Sequence, residues 1–199
     1  MASICTLNDL GEVHTAVVFR DQAPQEHPQG NVRALAIRDV VSSTLVSWGD
    51  LPRVIVAEKY LASCLQEGDV VIPSRGDYYK ASLLTGADVP VLPVGQLNVI
   101  RPAAGLDAGY LVWFLNLPTT GAKLKQMPTG TGIKALTKTA LLTLEVDLPD
   151  MGHQRLIAEI GQLAGRIAAI RYRLTELDAI EVAHMASLFS HVGGDHART

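Results

Sequence analysis

The residues with the widest chemical reach in this sequence are six histidines, His14, His27, His153, His184, His191 and His196. None stands beside a Glu at the spacing of a zinc-dependent hydrolase, so they read as lone surface side chains. Cys5 and Cys64 have neither metal-ligand spacing nor the partners of a disulfide framework, and both read as small buried residues. Gly130-Thr-Gly-Ile-Lys134 has the composition of a phosphate-binding loop without its spacing. There is no Gly-x-Ser-x-Gly elbow, no Asn/Asp-Pro-Pro-Tyr/Phe motif of the adenine methyltransferases and no glycine-rich cofactor loop after a strand. Asp69 and Asp77 are carboxylates that could act as acid and base, but each lies in a turn, where Asp serves local hydrogen bonding. These residues assemble no catalytic or metal site, and the chain is expected to bind rather than to catalyse, with no cofactor of its own.

Binding chemistry concentrates in one stretch. The net charge of -3 argues against a protein held to nucleic acid by bulk electrostatics. That average conceals a pattern, because residues 1–107, 108–144 and 145–199 carry -4, +4 and -3. The positive stretch sets Lys123, Lys125, Lys134 and Lys138 among Thr119, Thr120, Gly121, Thr129, Gly130, Thr131, Gly132, Thr137 and Thr139. Cations, hydroxyls and bare backbone amides together are the groups that contact phosphates. An exposed polar loop without a ligand has the same composition, and composition does not separate the two.

The elements that must hold these residues are of two kinds. At 199 residues and 48% hydrophobic, the chain can bury one core of about 150 residues and carry an appendage. Short β-branched runs fill the first half: Ala16–Phe19, Ala34–Ile37, Val54–Ala57, Val70–Ile72 and Val89–Val94. Segments rich in turn formers separate them, among them Ser74-Arg-Gly-Asp77. The pattern predicts a mixed or antiparallel sheet. Gly109–Asn116 follows as a short helix stopped by Pro118, then a second short helix over Lys134–Leu142 and a last strand over Leu144–Leu148. The fold class expected is α+β, a mixed-sheet domain over residues 1–149 ahead of a long coiled-coil helix.

After Pro149 the period changes. Leu156, Ile160, Leu163, Ile167, Ile170, Leu174 and Leu177 follow at steps of 4, 3, 4, 3, 4 and 3, a mean of 3.5 and the repeat of a coiled coil. Asp150 can cap the start, and Arg155, Glu159, Arg166, Arg171, Arg173 and Glu176 lie off the seam. From Leu156 to Leu188 the helix spans about 50 Å at ~1.5 Å per residue. The seam degrades at Glu181 and His184. A helix lying flat on its own sheet is the alternative. Gly161 and Gly165 each cost about 1 kcal/mol in a helix interior, which points to close backbone approach there or to a loosely specified helix. The helix is assigned residues 150–189, and residues 190–199 a flexible tail. No window has about 18 consecutive apolar residues and Met1–Cys5 lacks the pattern of a signal peptide, so no membrane association and a cytoplasmic location are expected.

Three stretches taken in order resemble the specificity subunit of type I restriction-modification systems: Asn31–Val40, Leu65–Gly76, and Asn98–Pro102 with Gly109–Leu115. Gly130–Thr137 with Leu141, then Val146-Asp-Leu-Pro149 with Gln154 and the coiled-coil helix, resembles the end of such a recognition domain and its spacer helix. The likeness covers about residues 7–180. It implies a target-recognition domain that reads half of a bipartite site in double-stranded DNA, and a helix that sets spacing and docks methyltransferase subunits. S-adenosylmethionine would then sit on the partner methyltransferase, with a restriction subunit as a further partner. Full-size relatives carry two domains and two helices, so the resemblance implies a half-size form that pairs antiparallel with a second copy and reads an inverted repeat. His153 stands where the family has an acidic residue before the helix-start Gln.

On this resemblance Ser74, Arg75, Tyr78, Tyr79 and Lys80 form one DNA-facing loop, and Thr129, Thr131, Lys134 and Lys138 a second, with Lys123 and Lys125 in the same basic stretch. Arg suits bidentate contact to guanine, Lys and Thr suit phosphate, and Tyr packs on sugar or base. The plainer alternatives are an ion pair of Arg75 with Asp69 or Asp77, partial burial of the tyrosines, and glycines 76, 130 and 132 placed only for backbone turns. A second functional reading is an adaptor or decoy in a phage-defence locus that acts mainly through the helix.

Overall fold

The computed structural model describes residues 3–20, 24–41, 46–127 and 135–192. The chain divides into two compact units, Met1–Gln162 and Leu163–Thr199. In the first, β1 (Ser3–Thr6) leads through the one-turn helix α1 (Leu7–Leu10) into β2 (Gly11–Thr15). Next come β3 (Val32–Leu35), α2 (Ile37–Val41), β4 (Arg53–Val54), β5 (Val70–Pro73), β6 (Ser82–Leu83), β7 (Val91–Pro93) and β8 (Leu97–Pro102). The order closes with α3 (Ala108–Leu115), α4 (Pro118–Gln126), α5 (Lys138–Leu142), β9 (Glu145–Leu148) and α6 (Met151–Val192).

Among the described residues the strands form three sheets, and together with the helices they make the α+β fold with mixed sheets that the sequence predicts. β2-β8-β5-β6 is antiparallel throughout, whereas in β4-β3-β7 the central strand runs antiparallel to β4 and parallel to β7. The four-stranded sheet separates two cores. Val70 and Ile72 of β5 enter a core with Leu7, Tyr110, Leu111 and Leu141, while Val71 between them enters a second with Leu35, Trp48 and Val91. Burial on both faces is why Val70-Val-Ile is a continuous apolar run without alternation. β8 divides in the same way, with Ile100 on the first side and Leu97 and Val99 on the second. The third sheet, β1 against β9, pairs Ser3 with Leu148 and Thr6 with Glu145, and so anchors the strand that feeds α6.

Three expectations need correction. Ala16–Phe19 is not a strand: β2 ends at Thr15, and Val17 adds only a single parallel bridge to Val94. Ile37, placed at a strand end, begins α2. Pro118 ends one helix but also opens another, at the first turn of α4, where its fixed φ suits a helix and its missing N–H costs nothing. Lys123 and Lys125 therefore stand on a helix rather than in a polar loop.

The start of α6 is fastened from several sides. Asp150 Oδ1 accepts from the backbone N–H of Gly152 and of His153, at 3.0 and 3.2 Å, and so caps the helix. Gln154, 1% exposed, accepts from the Asp107 N–H at 2.8 Å and donates to the carbonyls of Gly105 and Pro149 at 3.0 and 2.8 Å. Asp107 in turn caps α3 through Tyr110 N–H. A Cβ on Gly109 would lie 2.9 Å from Ala158 Cβ, and one on Gly161 would lie 3.0 Å from Trp113 Cδ1. Close approach explains Gly161. It does not explain Gly165, around which a Cβ meets nothing within 4 Å.

The face of this first stretch that carries Gln154, Ala158 and Gly161 meets its own domain, which leaves Leu156 at 54% and Ile160 at 57% exposure on the other side. A stripe lying on its own sheet would be covered at these two positions, and it is not. In the second unit the seam positions Leu163, Ile167, Ile170, Leu174 and Leu177 are likewise 45–61% exposed.

Candidate nucleic-acid interface

Beyond β5 the chain reaches Ser74, whose N–H donates to Gln96 O at 3.0 Å and whose carbonyl accepts from Leu136 N–H at 2.8 Å. Arg75 bridges Ala135 in antiparallel sense, and the buried Asn98 side chain donates to Leu136 O at 2.7 Å. The two loops proposed from sequence are thus stitched at one edge, by residues far apart in the chain. Gly76 then turns at φ +100°, a conformation that favours glycine, and this sends the chain outward into Asp77 and Tyr78. The exit is pinned by Asn116, which donates to Ala81 O and accepts from Ala81 N–H at 3.0 and 2.9 Å. Sequence reasoning gave Asn98 and Asn116 no role in the site, because their partners lie 35 or more residues away.

The side chains of this edge divide sharply. Arg75 is exposed and makes no side-chain bond or ion pair among the described residues. Asp69, one suggested partner, is 0% exposed and is gripped by Arg101, with Nε–Oδ1 at 2.8 Å and Nη2–Oδ2 at 2.7 Å, and by Gln66 N–H at 2.7 Å. That bidentate pair holds the Arg101 pKa up. Asp69 is therefore a structural counter-ion rather than an acid or base. Tyr78 is 73% exposed and Lys125 Nζ lies 5.7 Å from its ring centroid. Tyr79, 7% exposed, packs in the core, where burial and then the charge of Asp77 push its phenol pKa up. Its ring is not on the surface. Lys80 is half-buried, and burial lowers its pKa.

On α4, Thr120 and Leu124 are buried one turn apart, which leaves Lys123 and Lys125 exposed. On α5, Thr137 caps by accepting from Ala140 N–H at 3.1 Å, Ala140 and Leu141 are buried, and Lys138 is exposed. Lys123 and Lys138, like Arg75, have no counter-ion among the described residues. By contrast Arg33 and Arg53 share Asp88, Arg38 meets Asp39, and Arg101 holds Asp69. Uncommitted cations thus stand on the stitched loops, α4 and α5, as they also do among the described residues at Arg20, Arg155, Arg166 and Arg171. Thr129, Thr131 and Lys134, with Gly130 and Gly132, lie outside the described residues.

A cleft of about 420 Å³ lies elsewhere in the first unit, lined by Leu83, Thr85 and Ala158 with Glu67, Asp107 and Arg155. Its Asp107 is committed to capping α3. Among the described residues no three His, Cys, Asp or Glu side chains gather as a metal site, and burial pushes the Cys64 thiol up, away from thiolate chemistry. No helix among them is long and apolar enough to cross a membrane.

Solved structures share this fold. One, from work on complex assembly and conformational transition of the type I restriction-modification system, matches with TM-score 0.65 and 19% identity over 92% of this chain and 43% of its own. The HsdS subunit from Thermoanaerobacter tengcongensis matches with TM-score 0.63 and 18% identity over 86% of this chain and 39% of its own. The type I restriction-modification system S subunit from M. genitalium matches with TM-score 0.50 and 13% identity over 93% and 43%. No protein-family model and no curated protein matches the chain. The fold is that of the type I specificity (S) subunits, and the chain spans less than half the length of these counterparts.

Proposed function

We propose that this chain is the non-catalytic, sequence-reading component of a type I-like restriction-modification system. Its first unit reads one half-site of double-stranded DNA. Its helix joins a second copy and docks methyltransferase subunits that carry S-adenosylmethionine, with a restriction subunit as an additional partner. The observation that supports this best is the gathering of Arg75, Lys123, Lys125 and Lys138 without carboxylate partners, beside an exposed Tyr78, on a domain with the S-subunit fold. Phosphate contacts from the lysines fix the domain on the duplex, and the Arg75 fork supplies a base contact.

The test is selection from random duplexes by the full chain, alone and with a methyltransferase subunit. The expected result is an enriched inverted repeat, bound more tightly with the partner present. Equal affinity for selected and scrambled duplexes in both conditions would sink the reading. A net charge of -3 and an exposed helical seam favour a second reading, an adaptor or decoy acting through helix-mediated protein binding. It is favoured if Arg75→Ala and Lys138→Ala leave partner capture and biological effect unchanged.

A further inference from the structure

We infer that the exposed seam of α6 pairs with a second copy of this chain in one antiparallel register, in which Ile160 packs on the partner's Ile170, Leu163 on the partner's Ile167, and Leu156 on the partner's Leu174. Glu159 then meets the partner's Arg173. This deepens the self-pairing in the proposed function and rests on that reading for the identity of the occupant; the charges on α6 decide orientation and register.

The seam defines which residues flank it. Glu159, Arg166 and Arg173 run along one side, and Ala164, Arg171 and Asp178 along the other. Between residues 160 and 175 the helix has three arginines and no acidic residue. Parallel in-register pairing would stack Glu181 on the partner's Glu181 inside the seam and set Arg166 against the partner's Arg171. Antiparallel pairing centred between Ala168 and Ala169 would bury Leu156 against the partner's Glu181 and twice oppose Arg166 to the partner's Arg173. Moving the centre to Gly165 removes both faults. The twofold operation repeats each of the three apolar layers, the Glu159–Arg173 pair forms on both sides, and Glu181 falls beyond the start of the partner's helix.

Ala164 faces its own copy near the axis, where a small residue lets two helices approach closely. The like-charge contacts left are Arg166 with the partner's Arg166, formed once, and Asp178 with the partner's Asp150 at the helix start, formed on both sides, and Leu177 closes the paired region against the partner's His153. Glu159 is exposed, and Arg173, which bonds Glu176 one turn along at 3.2 Å, has its side chain 65% exposed, so both are accessible to a partner. The register also leaves the stretch with Glu181, His184 and Leu188 outside the paired region, which fits the loss of the heptad pattern there.

The test uses the full chain carrying Glu159→Arg, Arg173→Glu, or both, with the dimer dissociation constant read by sedimentation and helicity by circular dichroism. Each single reversal is expected to weaken the dimer about tenfold, because two symmetric exposed pairs turn from attraction to repulsion together. The double variant is expected to return to within about threefold of wild type, since the pairs reform with reversed polarity. A double variant as weak as the two singles combined overturns this register, and a wild-type chain that stays monomeric overturns self-pairing altogether. A failed register leaves selection of an inverted repeat intact and a monomeric chain leaves selection of a single half-site intact, so failure of the register, of self-pairing and of DNA reading are told apart.

Discussion

On the proposed function, Arg75 and the lysines around it would offer a duplex different information. A guanidinium fork on a glycine-turned loop can match two acceptors on one guanine edge, so its loss should relax sequence preference at one position by about 1–3 kcal/mol. Lys123, Lys125 and Lys138 are single charges on helices, suited to phosphates that are the same for every sequence. Alanine at any one of them should weaken all duplexes alike and lower the salt slope of log K by about 0.9. Measuring both variant types across salt and across single-base changes in a selected site checks this. If Arg75→Ala weakened all sites equally, Arg75 would be another phosphate contact and the base reader would lie elsewhere. Tyr78 and Tyr79 show how little local sequence says at this scale: adjacent and of one type, they are 73% and 7% exposed.

At the scale of elements, α6 was legible because a 3.5-residue repeat depends only on neighbours along the chain. The strand-sized runs Val70–Ile72 and Val89–Val94 were legible for the same reason and became β5 and β7. α4 was hidden by its glycine and threonines; it stands because Pro118 presets its first turn and Thr120 and Leu124 are buried by the rest of the fold. The candidate site was legible as a list of cations but not as a place, since Ser74–Leu136 and Asn98–Leu136 contacts join residues that sequence windows never compare. Two helical glycines give this scale its prediction. Gly165→Ala should stabilise by about 1 kcal/mol, because its Cβ meets nothing within 4 Å and alanine is the better helix former. Gly109→Ala should destabilise by about 1–3 kcal/mol despite the same propensity gain, because its Cβ would lie 2.9 Å from Ala158 Cβ and force α3 off α6. Urea denaturation of both variants reads the contrast, and equal shifts of the same sign would refute the tight α3–α6 contact.

For the whole molecule, the proposed function gives the helix the task that a chain of net charge -3 cannot carry out with one small cationic edge. One domain offers few phosphate contacts, and so a weak, salt-sensitive grip. Joining two copies makes the second half-site contact intramolecular, which multiplies affinity for a correctly spaced repeat by about 10²–10⁴ without a new contact to DNA. Ile167→Glu tests this link between assembly and reading. Ile167 is 50% exposed in the isolated chain, so a carboxylate there is tolerated by the monomer but would be buried without a partner in the dimer. The variant should be monomeric by light scattering, keep the near-ultraviolet signal of Trp48 and Trp113, and bind a single half-site as wild type does. It should lose at least about a hundredfold on the full inverted repeat, the lower bound of that multiplication. A variant that stays dimeric would place the dimer contact away from the seam. A monomer that keeps full affinity for the repeat would mean that the helix plays no part in reading DNA.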